Sequence, residues 1–184
     1  VRAARAAALQ SAIAALGQEA LAGTAPDVLM EETVRVLRDV FRAEIAVVLE
    51  LSPDGKQWRA RVGAGLKPGA LGQRVLDSTG DSQPGYTIQT NAAVIVTDLR
   101  KETRFQPSPM LLEHGAVSGM SVVIRGRSRP YGVLSVHSVR RRRFDADDAN
   151  TLTAIANVLG MAIERAATDA QLRASEAQSR FLAS

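Results

Sequence analysis

Two histidines, an aspartate with two nearby arginines, and one tyrosine are the side chains of this 184-residue chain best suited to chemistry. A haem or a metal ion would need an imidazole, and only His114 and His137 offer one. A lone histidine on a strand is more often a satisfied structural residue, so haem ligation is set aside. His114 ends a short helical segment before Gly115, where an imidazole suits helix-end carbonyls better than a ligand. Asp98, Arg100 and Arg104 follow a predicted strand. Arg104 could grip an anion through its guanidinium fork; the competing reading is an aspartate–arginine clasp that closes the loop. Tyr86 could donate to a ligand or fill a pocket floor. The candidate ligand-binding residues are thus Tyr86, Asp98, Arg104 and His137.

Catalytic constellations are missing. Cysteine is absent, which removes thiolate nucleophiles, disulfides, Cys-ligated iron–sulfur clusters and thioether-attached cofactors. There is no phosphate-cradling glycine loop, no His-rich metal spacing and no Ser-His-Asp set that the spacing suggests. Asp147 and Asp148 are adjacent on a predicted helix and point different ways. The net charge is +4, with much of the excess in Arg140–Arg143. Such a run could touch phosphates, but aromatics are only 4% of residues and no stacking platform accompanies it, so a nucleic-acid partner is not expected. No apolar run reaches the roughly 20 residues that span a bilayer, and a cytoplasmic setting is expected.

The elements that must position these residues can be read from periodicity. Residues 3–22 are Ala-rich with Leu9, Ile13, Leu16 and Ala20 on one stripe of a helix. Pro26 opens a second helix with Leu29, Thr33, Val36, Leu37 and Val40 as its buried face. Glu44–Leu51 and Lys56–Ala64 read as an antiparallel hairpin about the turn Ser52-Pro53-Asp54-Gly55. Residues 63–84 carry Gly and Pro throughout and read mostly as loop. Tyr86–Thr90 suggests a short helix, Ala93–Thr97 a strand and Met110–His114 a helical turn. Ser118–Arg125 and Tyr131–Val139 make a second hairpin. Asp145 then caps a long helix with Asp147 and Asp148 in its first turn. By alternation His137 shares a strand face with Val133 and Ser135. Hairpins exclude a doubly wound parallel sheet; an antiparallel sheet with helices on one face fits, the irregular segments enclosing a pocket on the other.

This order, with Pro84-Gly85-Tyr86-Thr87, Val94 to Leu99, Thr103-Arg104-Phe105, Gly115 to Ile124, Tyr131 to His137 and Arg143 to Asp148, resembles a GAF domain over roughly residues 10–166. The subtype is similar to those of bacterial sensor histidine kinases and diguanylate cyclases. The resemblance implies an α+β fold: a six-stranded antiparallel sheet, terminal helices on one face that pair with a second protomer, and any ligand pocket on the opposite face. Members that attach a bilin within this domain, and GAF-fold methionine sulfoxide reductases, need a Cys that is absent here. The cyclic-nucleotide signature is matched only by Phe144 and Asp148, since Ala149 stands where it has Glu and no Asn-Lys pair precedes it. Phe144 and Asp148 then read as a core plug and a helix-start acid.

The last helix runs from Asn150 towards Ser184 without a Pro or turn cluster, which suggests a mechanical output. Residues 1–166 read as the sensor domain and 167–184 as a signalling helix. Leu152, Ile155, Leu159, Ala162, Ile163 and Ala166 are its expected inner and dimer-facing residues. Ser175–Ser184 resembles the start of a kinase dimerisation helix, or else the opening of a PAS domain. The expectation is a fragment of a longer protein: a homodimer, with a small-molecule ligand whose identity and existence stay open, feeding a histidine kinase in the same chain. A ligand-free relay module and a cyclase fragment remain as alternatives.

Overall fold

Strand alternation decides the layers of this molecule. The computed structural model describes residues 1–72, 74–77 and 81–183. In chain order the elements are α1 (Arg2–Leu21), α2 (Pro26–Phe41), β1 (Ile45–Leu51), β2 (Gln57–Ala64), β3 (Arg74–Asp77), α3 (Gln83–Thr90), β4 (Val94–Val96), α4 (Pro109–Glu113), β5 (Ser118–Ile124), β6 (Gly132–Ser138) and α5 (Ala146–Ala183). The strands lie in the order β3-β2-β1-β6-β5-β4, each neighbouring pair antiparallel. The two hairpins meet at β1 and β6. The short edge strand β3 comes from the segment that composition reads as loop; its four residues are too few for a period-two pattern to announce.

Both faces of the central strands are covered. One face, with Ala46, Val48, Met120, Val122, Ile124, Leu134 and Val136, packs under α1, α2 and α5. The other, with Ile45, Val47, Leu49 and Val133, packs against Leu99, Phe105 and Leu111 from the connections between β4 and β5. Strands β5 and β6 are buried along their whole length. No helix among the described residues is long and apolar enough to cross a membrane.

Helix α2 starts at Pro26, whose missing N–H costs nothing at a first helical position. Its buried stripe is Leu29, Met30, Thr33, Val34, Leu37 and Phe41, while Val36 and Val40 are only half-buried. The face is therefore rotated from the one expected from sequence. Met30 and Phe41 are large enough to capture the core, and Phe41 meets Phe144 edge-on at 6.4 Å between ring centroids.

Helix α5 is held at its start by a reciprocal exchange. The Asp148 backbone N–H donates to Asp145 Oδ1 at 2.9 Å and the Asp145 N–H donates to Asp148 Oδ2 at 3.1 Å, an aspartate version of the capping box. Arg5 of α1 donates to Asp148 Oδ1 at 2.9 Å, tying the two terminal helices together. Twelve residues on, Gly160 brings the helix against the end of β5: a Cβ there would lie 2.5 Å from the Arg125 carbonyl oxygen.

Gly160→Ala decides between two opposed effects. Helix propensity alone would stabilise the variant by about 1 kcal/mol. The clash with Arg125 should win and lower stability by roughly 1–3 kcal/mol, read as the urea-unfolding midpoint; a midpoint that rises would show that α5 does not need this close approach.

Candidate functional site

The face of β6 that carries Val133, Ser135 and His137 looks onto a cavity of about 20 Å³. Val47, Leu49, Gln83, Pro84, Ser108, Met110, Leu111 and Ser121 complete its lining. That volume holds about one water. The pocket expected under the irregular segments is thus mostly filled, because Leu99, Phe105 and Leu111 are themselves core residues with Tyr86 and Met110 packed against them. Among the described residues no charged side chain lines it.

His137 is 1% exposed, and its Nδ1 has no hydrogen-bond partner. It pairs with Gly119 across β5 and β6, and a Cβ at Gly119 would collide with His137 Nδ1. Glycine at 119 is what lets the ring lie down on the sheet. Burial holds the imidazole neutral, its pKa pushed down to about 4.

A hydroxyl relay fixes the neighbouring amide. Thr87 Oγ1 donates to the Gln83 carbonyl at 2.8 Å, because that oxygen can only accept. The Thr87–Ser121 contact of 2.8 Å must then use the Ser121 proton. Ser121 Oγ has lone pairs left, and Gln83 Nε2 donates to it at 3.0 Å. Proton counting therefore settles the amide orientation and leaves Gln83 Oε1 as an acceptor with no partner. Ser108 adds a third unmatched group. It occupies the N-cap position of α4, yet its hydroxyl makes no capping bond and is buried without a partner.

The residues singled out from sequence do not converge. Asp98 caps the short 3-10 turn Leu99–Lys101 and is gripped by Arg100, whose Nε and Nη2 each donate at 2.9 Å. Those bonds hold the Asp98 carboxyl down at about 2. Arg104 donates to both oxygens of Glu102, at 2.8 and 2.7 Å, and to the Ile95 carbonyl at 2.8 Å. Its guanidinium also stands over the rings of Tyr86 and Phe105, at 5.8 and 5.7 Å. So Asp98 and Arg104 close their loop, and with Tyr86 they lie outside the cavity lining. His114 bonds the Met110 carbonyl through Nδ1 and accepts the Lys67 N–H at Nε2, both at 2.7 Å. In the arginine run, Arg142 donates to the Phe41 and Arg42 carbonyls and Arg140 pairs with Glu44 at 3.3 Å. Only His137 of the four candidates reaches the cavity. Gln83, Ser108 and Ser121 were missed; the available signal was a polar residue on an otherwise apolar strand face, which Ser121 carries.

On α5, Leu152, Ile155, Leu159 and Ala162 are buried in the protein's own core, leaving Ile163 and Ala166 half-exposed. Met161 is 71% and Phe181 81% exposed. A groove of about 1110 Å³ separates the end of α1 from the middle of α5, walled by Leu21, Val158, Met161 and Arg165.

Comparison with known proteins matches the GAF domain family model to residues 23–164. The GAF domain of an Acinetobacter phosphoenolpyruvate-protein phosphotransferase superposes with a TM-score of 0.74 at 17% identity, covering 89% of this chain and 97% of that one. A free methionine-R-sulfoxide reductase from Neisseria meningitidis, in complex with its substrate, gives 0.72 at 17% identity over 86% and 91%. Residues 122 to 287 of a methyl-accepting chemotaxis protein give 0.68 at 18% identity over 82% and 95%. No curated protein matches the chain.

The His137 shift has a pH consequence. The unfolded chain takes up the imidazole proton near the ordinary value of about 6.5, whereas the folded state resists it down to about 4. Between those values the unfolded state binds more protons, so stability falls as pH falls, by up to ~1.4 kcal/mol per pH unit. In His137→Gln the unfolding midpoint should decline less steeply than wild type from pH 6.5 to 4.5. Parallel declines would show that this imidazole is not the group responsible. The Asp98 contribution belongs to a lower window, between about pH 4 and 2, where its carboxyl is protonated in the unfolded chain first.

Proposed function

Because the chain belongs to the GAF domain family, a family of regulatory sensor domains, we propose that it is a non-catalytic sensor and dimerisation domain of a cytoplasmic bacterial signalling protein. It passes a ligand-borne or upstream signal through α5 to a histidine kinase in the same chain. The observation that carries this reading is α5 itself. One unbroken helix of 38 residues is core on its first half and exposed on its second. A lone exposed helical stretch of this length is marginal in water, so the tail needs a partner. Ile163, Ala167, Ala170, Ala174, Ala177 and Phe181 recur at spacings of four and three, the seam of a two-stranded coiled coil. Alanine along that seam lets two backbones approach closely.

In this reading residues 1–166 are the sensor and 167–184 the signalling helix. A second copy packs α5 against α5 in parallel. Signal transfer is a population shift between two packings of the terminal helices.

Light scattering should give a dimer, and hydrogen exchange should show protection of residues 167–183 that rises with dimer formation. Ala170→Glu with Ala177→Glu places like charges across the seam, which should weaken dimerisation by roughly a hundredfold and lower the far-UV helical signal by no more than the share of residues 167–183, the core keeping its fold. A tail that exchanges freely at concentrations where the protein is dimeric would sink the transmission route.

A further inference from the structure

The cavity beneath α4 holds a set of polar atoms that the fold does not satisfy. Gln83 Oε1, Ser108 Oγ and His137 Nδ1 are buried and unpartnered, and all three residues line the same small space. Leaving one such group unmatched forfeits its hydration with nothing in return, and native proteins rarely leave several together. Ser108 makes the point most directly. An N-cap serine ordinarily accepts a backbone N–H of the first helical turn at its side-chain oxygen, and this one forgoes that bond.

The chemistry required of an occupant follows from the atoms. The relay through Thr87 and Ser121 locks the amide of Gln83 so that only its oxygen faces the unmatched side. An occupant must therefore bring an N–H or O–H donor. The Ser108 hydroxyl can give or take a hydrogen bond, so an acceptor beside that donor is matched as well. No formal charge is offered to an ion: Asp98, Arg100, Glu102 and Arg104 are bonded to one another and lie outside the lining. Apart from Ser135, the remaining walls, Val47, Leu49, Pro84, Met110, Leu111 and Val133, are apolar.

Building on the sensor reading above, we infer that this cavity is the sensing site for a small uncharged molecule that carries a hydrogen-bond donor next to an acceptor, with Gln83 as the residue that selects for the donor. Anything larger than water needs α4 to lift. That helix is five residues long and buries Leu111 alone, which makes it the element of the cover easiest to displace.

Three probes of nearly equal shape test this. Acetamide has donor and acceptor, acetone lacks the donor, and acetate lacks the donor and is charged. In titrations of the full chain followed by backbone and side-chain amide NMR, acetamide should shift the resonances of Gln83, Ser108 and His137. Its affinity should exceed that of acetone by about tenfold, the equivalent of one unmatched acceptor, and acetate should not bind. Gln83→Met removes the acceptor and should bring acetamide and acetone within about twofold of each other. Ser121→Ala keeps the amide but releases its orientation, and should narrow the preference in the same direction if Gln83→Met fails to fold. Equal binding of acetamide and acetone to the wild type, or no binding of any probe, overturns the inference. The latter leaves the dimer and helix-relay reading standing as a ligand-free module, since that rests on the separate measurements of tail protection and dimerisation.

Discussion

Burial of the central sheet on both faces is the constraint from which the rest follows. Strands β1, β5 and β6 have helices on one side and the β4–β5 connections on the other. Water is excluded from both, so any polar side chain on these strands must find its partner inside the protein. Ser118 does so by donating to the Arg140 carbonyl at 2.7 Å. Ser121 does so through Thr87 and Gln83. Where the partners run out, three of the unmatched groups, on Gln83, Ser108 and His137, fall around one cavity, while Trp58 Nε1 is unmatched elsewhere in the same layer.

The same constraint couples the two faces. Strand β5 presents Gly119, Ser121 and Val123 towards the cavity side and Met120, Val122 and Ile124 towards the helices. A displacement of its backbone on one side is felt on the other, because close-packed layers have little room to absorb it. At the end of β5 the Arg125 carbonyl sits against Gly160 of α5, and the Asp145–Asp148 exchange with Arg5 prevents the start of that helix from slipping. The helix is thus seated at its first turn and again at Gly160. Beyond Arg165 its direction is set by those two seats, which is the mechanical basis of the proposed output.

What the sequence made legible was whatever is decided locally. Alternation placed Val133, Ser135 and His137 on one face, Ser52-Pro53-Asp54-Gly55 marked its turn, and Asp145 marked the start of α5. Distant partners were not legible. The α2 face is set by what Phe41 and Met30 meet across the core, so periodicity alone put Val36 and Val40 in their place. Arg104 reads as an anion grip or as half of an aspartate–arginine clasp until Glu102, two residues earlier, is seen to take both of its fork positions. The amide relay of Gln83 joins residues 38 apart in sequence, and no spacing rule connects them. The small volume of the cavity depends likewise on Phe105 and Leu111 folding back onto the sheet.

The size of the polar deficit bears on whether this site could drive a switch. Moving a two-state equilibrium from mostly off to mostly on takes about 5.5 kcal/mol of differential binding. A ligand with no polar contacts, entering a space this small, would have to raise that from apolar burial at roughly 25 cal/mol per Å², which a molecule of a few atoms lacks the area to provide. Three polar groups without a protein partner, each worth about 1–3 kcal/mol when matched, offer up to a quantity of that order to a ligand that replaces the one water the space can hold. A ligand that satisfies them recovers that free energy only in the state where α4 has rearranged around it, so recognition and switching draw on the same few atoms. Filling the cavity with an apolar side chain would then do the reverse: it would relax the packing without the hydrogen bonds, and leave a sensor that is more stable and no longer responsive.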